Sequence, residues 1–245
     1  MGELIAVLSG KGGTGKTSLC AGIATALAQA GESVLCIDCD IGLRNLDISL
    51  GLTDCGALSF QDVCAGGYGL NQAAAHPQFP QLRFLTAPMN CTAEDIDGTA
   101  FSEMLTRARK QFRYIFLDAP AGVDAGFRLC ARYADRVILV TGADPASVRD
   151  AARAGELLEL MGKKQVRIIV NRVNEKLYSA VKITVDDVMD QAGLPLLGIV
   201  PDDTSVTLAA AFEQPLLRYT QKGAAAACRR IAKRIQGLSA PIPIR

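Results

Sequence analysis

The sequence predicts an α/β protein of three layers, in which helices cover both faces of a mostly parallel central sheet. Short apolar runs recur along the chain, and segments with the apolar spacing of a helix follow them. These runs contain more apolar residues than the alternation of a half-exposed strand requires, as is typical of strands buried on both faces. Because no linker or internal repeat interrupts the pattern, we expect residues 1–245 to form a single domain.

The first strand and helix are the clearest elements. Residues 4–9 form an apolar run, and a helical pattern passes through Leu19, Ile23, Leu27 and Ala28. Gly31 is expected to end this helix as the residue after its C-cap. A glycine-rich segment, residues 10–17, therefore joins a strand to a helix.

This segment, GKGGTGKT, matches the nucleotide-binding pattern called the P-loop. Glycines let successive backbone N–H groups point into one cavity, and the helix that follows offers unpaired N–H groups and a favourable dipole to a polyphosphate. Lys16 is expected beside the β- and γ-phosphates, and the Thr17 hydroxyl is expected to ligate Mg²⁺. The predicted binding residues of the loop are Gly10, Lys11, Gly12, Gly13, Thr14, Gly15, Lys16, Thr17 and Ser18.

Later strands and helices alternate in the same way. Helices are predicted through Phe101 and Leu105, and from the N-cap Asp144 with Pro145 in its first turn. Thr184 and Asp187 approximate a capping box. Residues 51–98 are harder to interpret, apart from one short apolar piece at 82–87. The further strands are predicted at residues 33–38, 114–118, 136–141, 166–170 and 196–200.

Aspartates close two of these strands. Asp38, followed by Asp40, ends one apolar run, and Asp118 ends another. Ligands of open parallel sheets lie beyond the carboxyl ends of the strands, so these carboxylates are candidates for holding Mg²⁺, directly or through water. The alternative is that they only cap the elements that follow.

Because Lys11 adds a second cation early in the loop, the sequence KGGTGKT resembles the deviant P-loop ATPases of the ParA/MinD family. Residues 38–47 and 118–122 resemble the two switch segments of the MinD branch, and residues 147–150 and 200–206 resemble other MinD segments in order and spacing. The run DIGLRNLD at residues 40–47 separates that branch from generic ParA proteins.

The resemblance implies a P-loop NTPase fold and hydrolysis of ATP to ADP and phosphate by a homodimer that sandwiches the nucleotides. Lys11 would reach the partner's nucleotide, and Asp40 would orient the attacking water. Asp38 would support the Mg²⁺ shell, and Asp118 would be the Walker B-type aspartate. The adenine would lie against Asn171 and Arg172, with Pro201 and Asp202 nearby. MinC-like and MinE-like partners and a role in division-site selection are also implied.

The C-terminal region departs from the MinD pattern. After Glu213 the charged residues are all basic: Arg218, Lys222, Arg229, Arg230, Lys233, Arg234 and Arg245. Cys228, Ile231, Ala232 and Ile235 form an apolar stripe at helical spacing, which Gly237, Pro241 and Pro243 bring to an end. We expect this helix to pack on the core, with reversible binding to anionic membrane as the alternative, and no membrane-targeting tail is evident after it.

Composition excludes several classes of protein. Lys and Arg total 26 and Asp and Glu 25, so a net charge of +1 gives no overall field that would draw the chain to nucleic acid or membrane, and we expect no DNA partner. Eight scattered cysteines are typical of a reducing compartment, and no apolar run is long enough to span a bilayer. We therefore expect a cytoplasmic protein, peripheral on the inner face of the cell membrane if it binds lipid.

Other residues have simpler interpretations. Strand alternation places Cys36 and Cys39 on opposite faces, which argues against a redox pair. Cys91 and Cys130 lack the glycine-rich surroundings of an iron–sulfur site, and His76 is predicted to be a solvated loop residue.

The alternative functions are a ParA-like DNA-partitioning ATPase, a flagellar-number or positioning ATPase and a nucleotide-binding scaffold without turnover.

Overall fold

A computed structural model of the chain describes residues 1–89, 91–174 and 184–242. Its centre is an eight-stranded sheet in the order β3-β4-β2-β5-β1-β6-β7-β8. Every neighbouring pair is parallel except β3 and β4. The strands are β1 Glu3–Leu8, β2 Val34–Asp38, β3 Ala74–Ala75, β4 Leu82–Leu85, β5 Tyr114–Asp118, β6 Arg136–Thr141, β7 Val166–Val173 and β8 Leu196–Pro201.

Helices occupy both faces of this sheet, which confirms the predicted three-layer architecture. They are α1 Lys16–Gln29, α2 Leu46–Leu50, α3 Phe60–Cys64, α4 Gly98–Gln111, α5 Ala125–Tyr133, α6 Pro145–Leu160, α7 Val185–Ala192, α8 Thr204–Ala211, α9 Leu216–Tyr219 and α10 Gly223–Ile235. One apolar core contains the buried residues of α3 to α7. The other contains those of α1, α2 and α8 to α10.

The predicted strands are present, with small shifts at their ends. β5 and β6 have the predicted bounds, whereas β7 continues to Val173, three residues beyond the prediction. The segment that was hard to interpret contains α3, two short 3₁₀ helices, and β3 and β4 at the end of the sheet. Its strands are short, so their periodicity is weak.

Helix ends follow local chemistry. Asp144 caps α6 by accepting a hydrogen bond from the Ser147 N–H, and Thr184 and Asp187 form the predicted capping box of α7. Gly31 has a φ of 93° after α1, and the Glu32 N–H donates to the Leu27 carbonyl at 3.1 Å. This pattern ends the helix with a left-handed residue, as predicted.

The apolar stripe of the C-terminal helix packs on the core. Cys228, Ile231, Ala232 and Ile235 are at most 3% exposed in the core that contains α1, so this stripe cannot itself enter a membrane. Pro243 and Arg245 lie outside the described residues. No helix of residues 1–89, 91–174 and 184–242 is long and apolar enough to cross a bilayer.

The prediction for His76 is wrong. The ring is buried, its Nε2 lies 2.8 Å from the Leu50 carbonyl, and its Nδ1 accepts a 3.1 Å hydrogen bond from the Gln78 N–H. Phe79 packs against the ring in an edge arrangement. The sequence beside Pro77 indicated a loop, but it could not show that α2 lies over that loop.

Cys36 and Cys39, by contrast, lie in opposite cores as predicted.

Candidate nucleotide-binding site

The predicted site lies at the carboxyl edge of the sheet, where β1, β5 and β2 are neighbours. The loop between β1 and α1 passes close to its surroundings at two glycines. A Cβ on Gly10 would lie 2.4 Å from the Asp150 carbonyl oxygen, and a Cβ on Gly15 would lie 2.3 Å from Nδ2 of Asn171. Gly15 also has a φ of 85°, which disfavours other residues. The loop therefore requires glycine for both space and conformation.

Lys16 lies inside this loop and pairs with Asp118. Its Nζ is 2.9 Å from Oδ1 of Asp118 and donates to the Thr17 hydroxyl at 3.2 Å. Burial alone would lower the pKa of Lys16, but the attraction of Asp118 outweighs it and the pKa is raised. Burial also raises the pKa of Asp118, against the opposing effect of the Lys16 ammonium. In this conformation the lysine neutralises the carboxylate that was predicted to bind the metal.

The residues around Asp118 fit a Mg²⁺ ion. Oδ2 of Asp118 is buried and has no hydrogen-bond partner in the described part of the chain. The Thr17 hydroxyl and Oδ1 of Asp118 both accept a hydrogen bond from the Lys16 ammonium. Mg²⁺ commonly takes one or two carboxylates together with waters and substrate phosphates, so a hydroxyl and one free carboxylate oxygen suit it. The placement supports Asp118 and Thr17 as metal ligands, and their role stays a prediction.

Asp38 has a different environment from Asp118. Its Oδ1 accepts from the Asp40 N–H at 2.8 Å, and its Oδ2 accepts from the Leu46 N–H at 3.1 Å. Burial, and secondly the charge of Asp118, raise the pKa of Asp38 to about 7. Asp38 thus holds both ends of the loop that follows β2, and its predicted support of a metal shell would act through that loop.

The loop itself, residues 40–45, is held in a strained form. Asp40 is partly exposed and its Oδ1 accepts from the Leu43 N–H at 3.3 Å. Arg44 has a φ of 48°, and its guanidinium donates through Nε and Nη2 to the buried Thr86 hydroxyl at 3.1 and 2.9 Å. A non-glycine residue in this region indicates local strain that other contacts must hold. Sequence reasoning missed Thr86, because its partner lies 42 residues away.

Lys11 does not face Asp118 and Lys16. Its Nζ lies 3.6 Å from Oδ1 of Asp144, the N-cap of α6, and both side chains are about half exposed. An exposed pair of this kind contributes little stability, so Lys11 can leave it at small cost. Its predicted action on a partner's nucleotide requires that freedom.

The residues predicted to contact the base lie at the adjoining edge. Asn171 is buried, and its Nδ2 donates to the Thr14 carbonyl at 2.7 Å. Arg172 is exposed with a φ of 55°, and Val173 pairs with Pro201, while Asp202 is exposed. The structure therefore brings all four predicted residues to one place beside the loop. It also gives Asn171 a bracing role that the sequence did not indicate.

A family model described as the CobQ/CobB/MinD/ParA nucleotide binding domain matches residues 5–216. The chain is 35% identical to the septum site-determining protein MinD of Synechocystis sp., over 98% of this chain and 92% of that one. It is also 35% identical to the MinD of Bacillus subtilis, over 100% of this chain and 92% of that protein.

Solved structures agree with these sequence matches. A structure described as the MinC:MinD cell division protein complex of Aquifex aeolicus matches with a TM-score of 0.90 and 32% identity over 98% of both chains. The septum site-determining protein MinD of Pyrococcus horikoshii, complexed with Mg-ADP, matches with a TM-score of 0.82 and 26% identity over 96% of both chains.

Proposed function

The chain belongs to the CobQ/CobB/MinD/ParA nucleotide-binding family as a MinD-type ATPase of division-site selection that uses ATP and Mg²⁺, and we propose that it acts as a slow switch that dimerises on ATP. The observation that supports nucleotide and metal binding at this site is the buried pair of Lys16 and Asp118 beside the loop, with one carboxylate oxygen of Asp118 unpaired. A purely structural ion pair does not account for an unpaired buried carboxylate oxygen. A magnesium site does, because the ion or its waters would bind that oxygen.

In the proposed reaction the protein positions a water and neutralises charge that develops on the γ-phosphoryl oxygens. Loop N–H groups bind the phosphates, and Lys16 turns from Asp118 toward them. Asp40, which is partly exposed at the start of its loop, orients the attacking water. Thr17 and Asp118, with support from Asp38, would hold the Mg²⁺, which would supply positive charge at the phosphates.

We propose that the nucleotide lies between two copies of the chain. Lys11 is half exposed and only weakly held by Asp144, so it is free to reach across to a second subunit. The γ-phosphate would then order two loops together: residues 40–45, which contain Asp40, and the segment after β5 that contains Gly122. Both loops are already tied to the site, the first by Asp38 and the second by a 3.1 Å hydrogen bond from the Gly122 N–H to the Ser9 carbonyl.

A MinC-like protein is the first partner that we propose. One matched structure is a MinC:MinD complex, and it covers nearly the whole of this chain. A MinE-like activator is the second partner that we propose, on the likeness of the chain to the MinD proteins. Both would act on the ATP dimer.

Membrane contact is the third element of the proposal, with the protein otherwise in the cytoplasm. The surface that we propose for this contact is the charged side of α10, opposite its buried stripe. Lys233 is exposed there, Arg230 is partly exposed, and Leu238 is 55% exposed just after the helix. We propose that this surface meets anionic headgroups on the inner face of the membrane, with avidity from the dimer.

The test is the rate of ATP hydrolysis measured with anionic liposomes, with plasmid DNA and with neither. We expect liposomes to raise the rate and DNA to leave it unchanged. A variant with Arg230→Ala and Lys233→Ala should lose the lipid response but keep the basal rate, whereas Lys110→Ala, an exposed lysine of α4, should keep both. A rate that rises only with DNA would favour the ParA-like alternative.

A further inference from the structure

Ser9, the residue between β1 and the glycine-rich loop, has a buried hydroxyl that plays no part in the proposed reaction. The residue is 1% exposed, and its Oγ has no hydrogen-bond partner among the residues that the structure describes. Buried hydroxyls are usually satisfied, because desolvating one without a partner is costly. An alanine at this position would avoid that cost, so the hydroxyl requires a reason.

Strand alternation fixes the side toward which Ser9 points. Ile5 and Val7 lie in the core that contains α1, whereas Leu8 lies in the opposite core. Ser9 continues the series of alternate residues Ile5 and Val7, so its side chain faces the α1 side. Asp118 faces the same side, as its contact with Lys16 at the start of α1 shows.

The register of the sheet places Ser9 close to Asp118. Val7 is the direct partner of Asp118 on the neighbouring strand, and Ser9 lies two residues beyond Val7, a step of about 7 Å toward the loop. The Ser9 carbonyl accepts the Gly122 N–H at 3.1 Å, which fixes the backbone here against the loop after β5. Two buried oxygens without partners, Oγ of Ser9 and Oδ2 of Asp118, therefore share one corner of the site.

We infer that Ser9 is a further positioning residue, whose hydroxyl hydrogen-bonds a water of the Mg²⁺ shell when the nucleotide is bound. This inference rests on the proposed function. A neutral hydroxyl is a weaker metal ligand than a carboxylate, but it accepts readily from a water that a cation polarises, and Mg²⁺ retains several such waters. Asp118 would then hold the ion while Ser9 orients its shell.

Ser9→Ala tests the inference through binding and not through turnover. The measurements are thermal unfolding without nucleotide and the dissociation constant for ADP, with Mg²⁺ and with the metal chelated. We expect the nucleotide-free variant to melt no lower than the wild type, because the alanine removes an unsatisfied polar group. We expect ADP binding to weaken by about tenfold with Mg²⁺ and to stay unchanged without it, as the loss of one hydrogen bond predicts.

Thr25→Val is the matched control. The Thr25 hydroxyl is also buried, but it is satisfied within α1 by the Ala21 and Gly22 carbonyls at 2.8 and 3.0 Å. This variant should leave the effect of Mg²⁺ intact. Ser9→Cys keeps a slightly larger side chain of the same shape with a weaker donor and acceptor, and its Mg²⁺-dependent affinity should fall as in Ser9→Ala.

Two results would overturn the inference. One is a Ser9→Ala protein that melts lower while its Mg²⁺-dependent affinity is that of the wild type, which would make the hydroxyl structural. The other is an equal loss of affinity with and without Mg²⁺. If the wild type itself fails to bind ADP with Mg²⁺, the proposed function fails, and that outcome is distinct from both.

Discussion

The Lys16 ammonium lies 2.9 Å from Oδ1 of Asp118, and the two side chains are 6% and 1% exposed. Lysine and aspartate are seldom buried to this degree unless they are paired. The two charges therefore compensate each other, although Oδ2 of Asp118 has no hydrogen-bond partner among the described residues. In the proposed reaction Lys16 turns from Asp118 to the phosphates, so the cost of breaking this contact would be part of the nucleotide affinity.

Breaking the pair from one side should be costly. Lys16→Met leaves Asp118 as an uncompensated buried charge, and Asp118→Asn leaves Lys16 in the same state, so each should lower the nucleotide-free stability by about 3–5 kcal/mol. The double variant should lose less than the sum of the two. Urea unfolding of the four proteins measures this coupling, and additive losses would contradict it.

Lys11→Ala should separate nucleotide binding from dimerisation. The lysine is exposed and its pair with Asp144 is weak, so we expect less than about 1 kcal/mol of lost stability and unchanged ATP binding. Light scattering in an Asp40→Ala background, with ATP and Mg²⁺, should show a monomer for Lys11→Ala. The Lys110→Ala control should still form the dimer, and an intact ATP dimer without Lys11 would remove its role across the interface.

Asn171→Ala should weaken nucleotide binding through the loop. The Thr14 carbonyl loses the donor that lies 2.7 Å away, and the loop loses a brace on its inner side. We expect about tenfold weaker ADP binding, on the scale of one buried hydrogen bond. Titration calorimetry measures it, with the exposed Asn71→Ala as control. An unchanged affinity would show that the loop holds its shape without Asn171.

His76 should make stability depend on pH. Burial lowers the pKa of the ring, so the unfolded chain takes up a proton near pH 6.5 while the folded chain does not. Stability from this group is therefore complete above about pH 6.5 and falls below it, by at most about 1.4 kcal/mol per pH unit. The Nδ1 that would be protonated already accepts the Gln78 N–H, which opposes charging.

His76→Gln should flatten this dependence, because its carboxamide can donate to Leu50 but does not titrate. The measurement is the difference in unfolding free energy between variant and wild type from pH 5 to 8. Asp38, whose raised pKa acts in the opposite sense in this range, is common to both proteins and cancels in that difference. A difference that does not vary with pH would contradict the prediction.

The sequence by itself determined the elements whose causes are local. The glycines and Lys16 between a strand and a helix predicted the nucleotide loop. Apolar periodicity predicted the central strands, and periodicity or capping residues predicted the helices α1, α4, α6, α7 and α10. The capping chemistry of Asp144 and Thr184 was equally readable, because a cap involves residues only three positions apart. Asp38 and Asp118 were found because parallel strands end at one edge.

The tertiary structure alone decided which of these residues meet. Lys16 and Asp118 are 102 positions apart, and Asn171 and Thr14 are 157 apart, so their contacts depend on the order of strands in the sheet. The same is true of buried His76 and of the α10 stripe, for which the sequence allowed either core or membrane. Periodicity shows that a face is apolar, but only the packing of α10 on α1 shows what covers it.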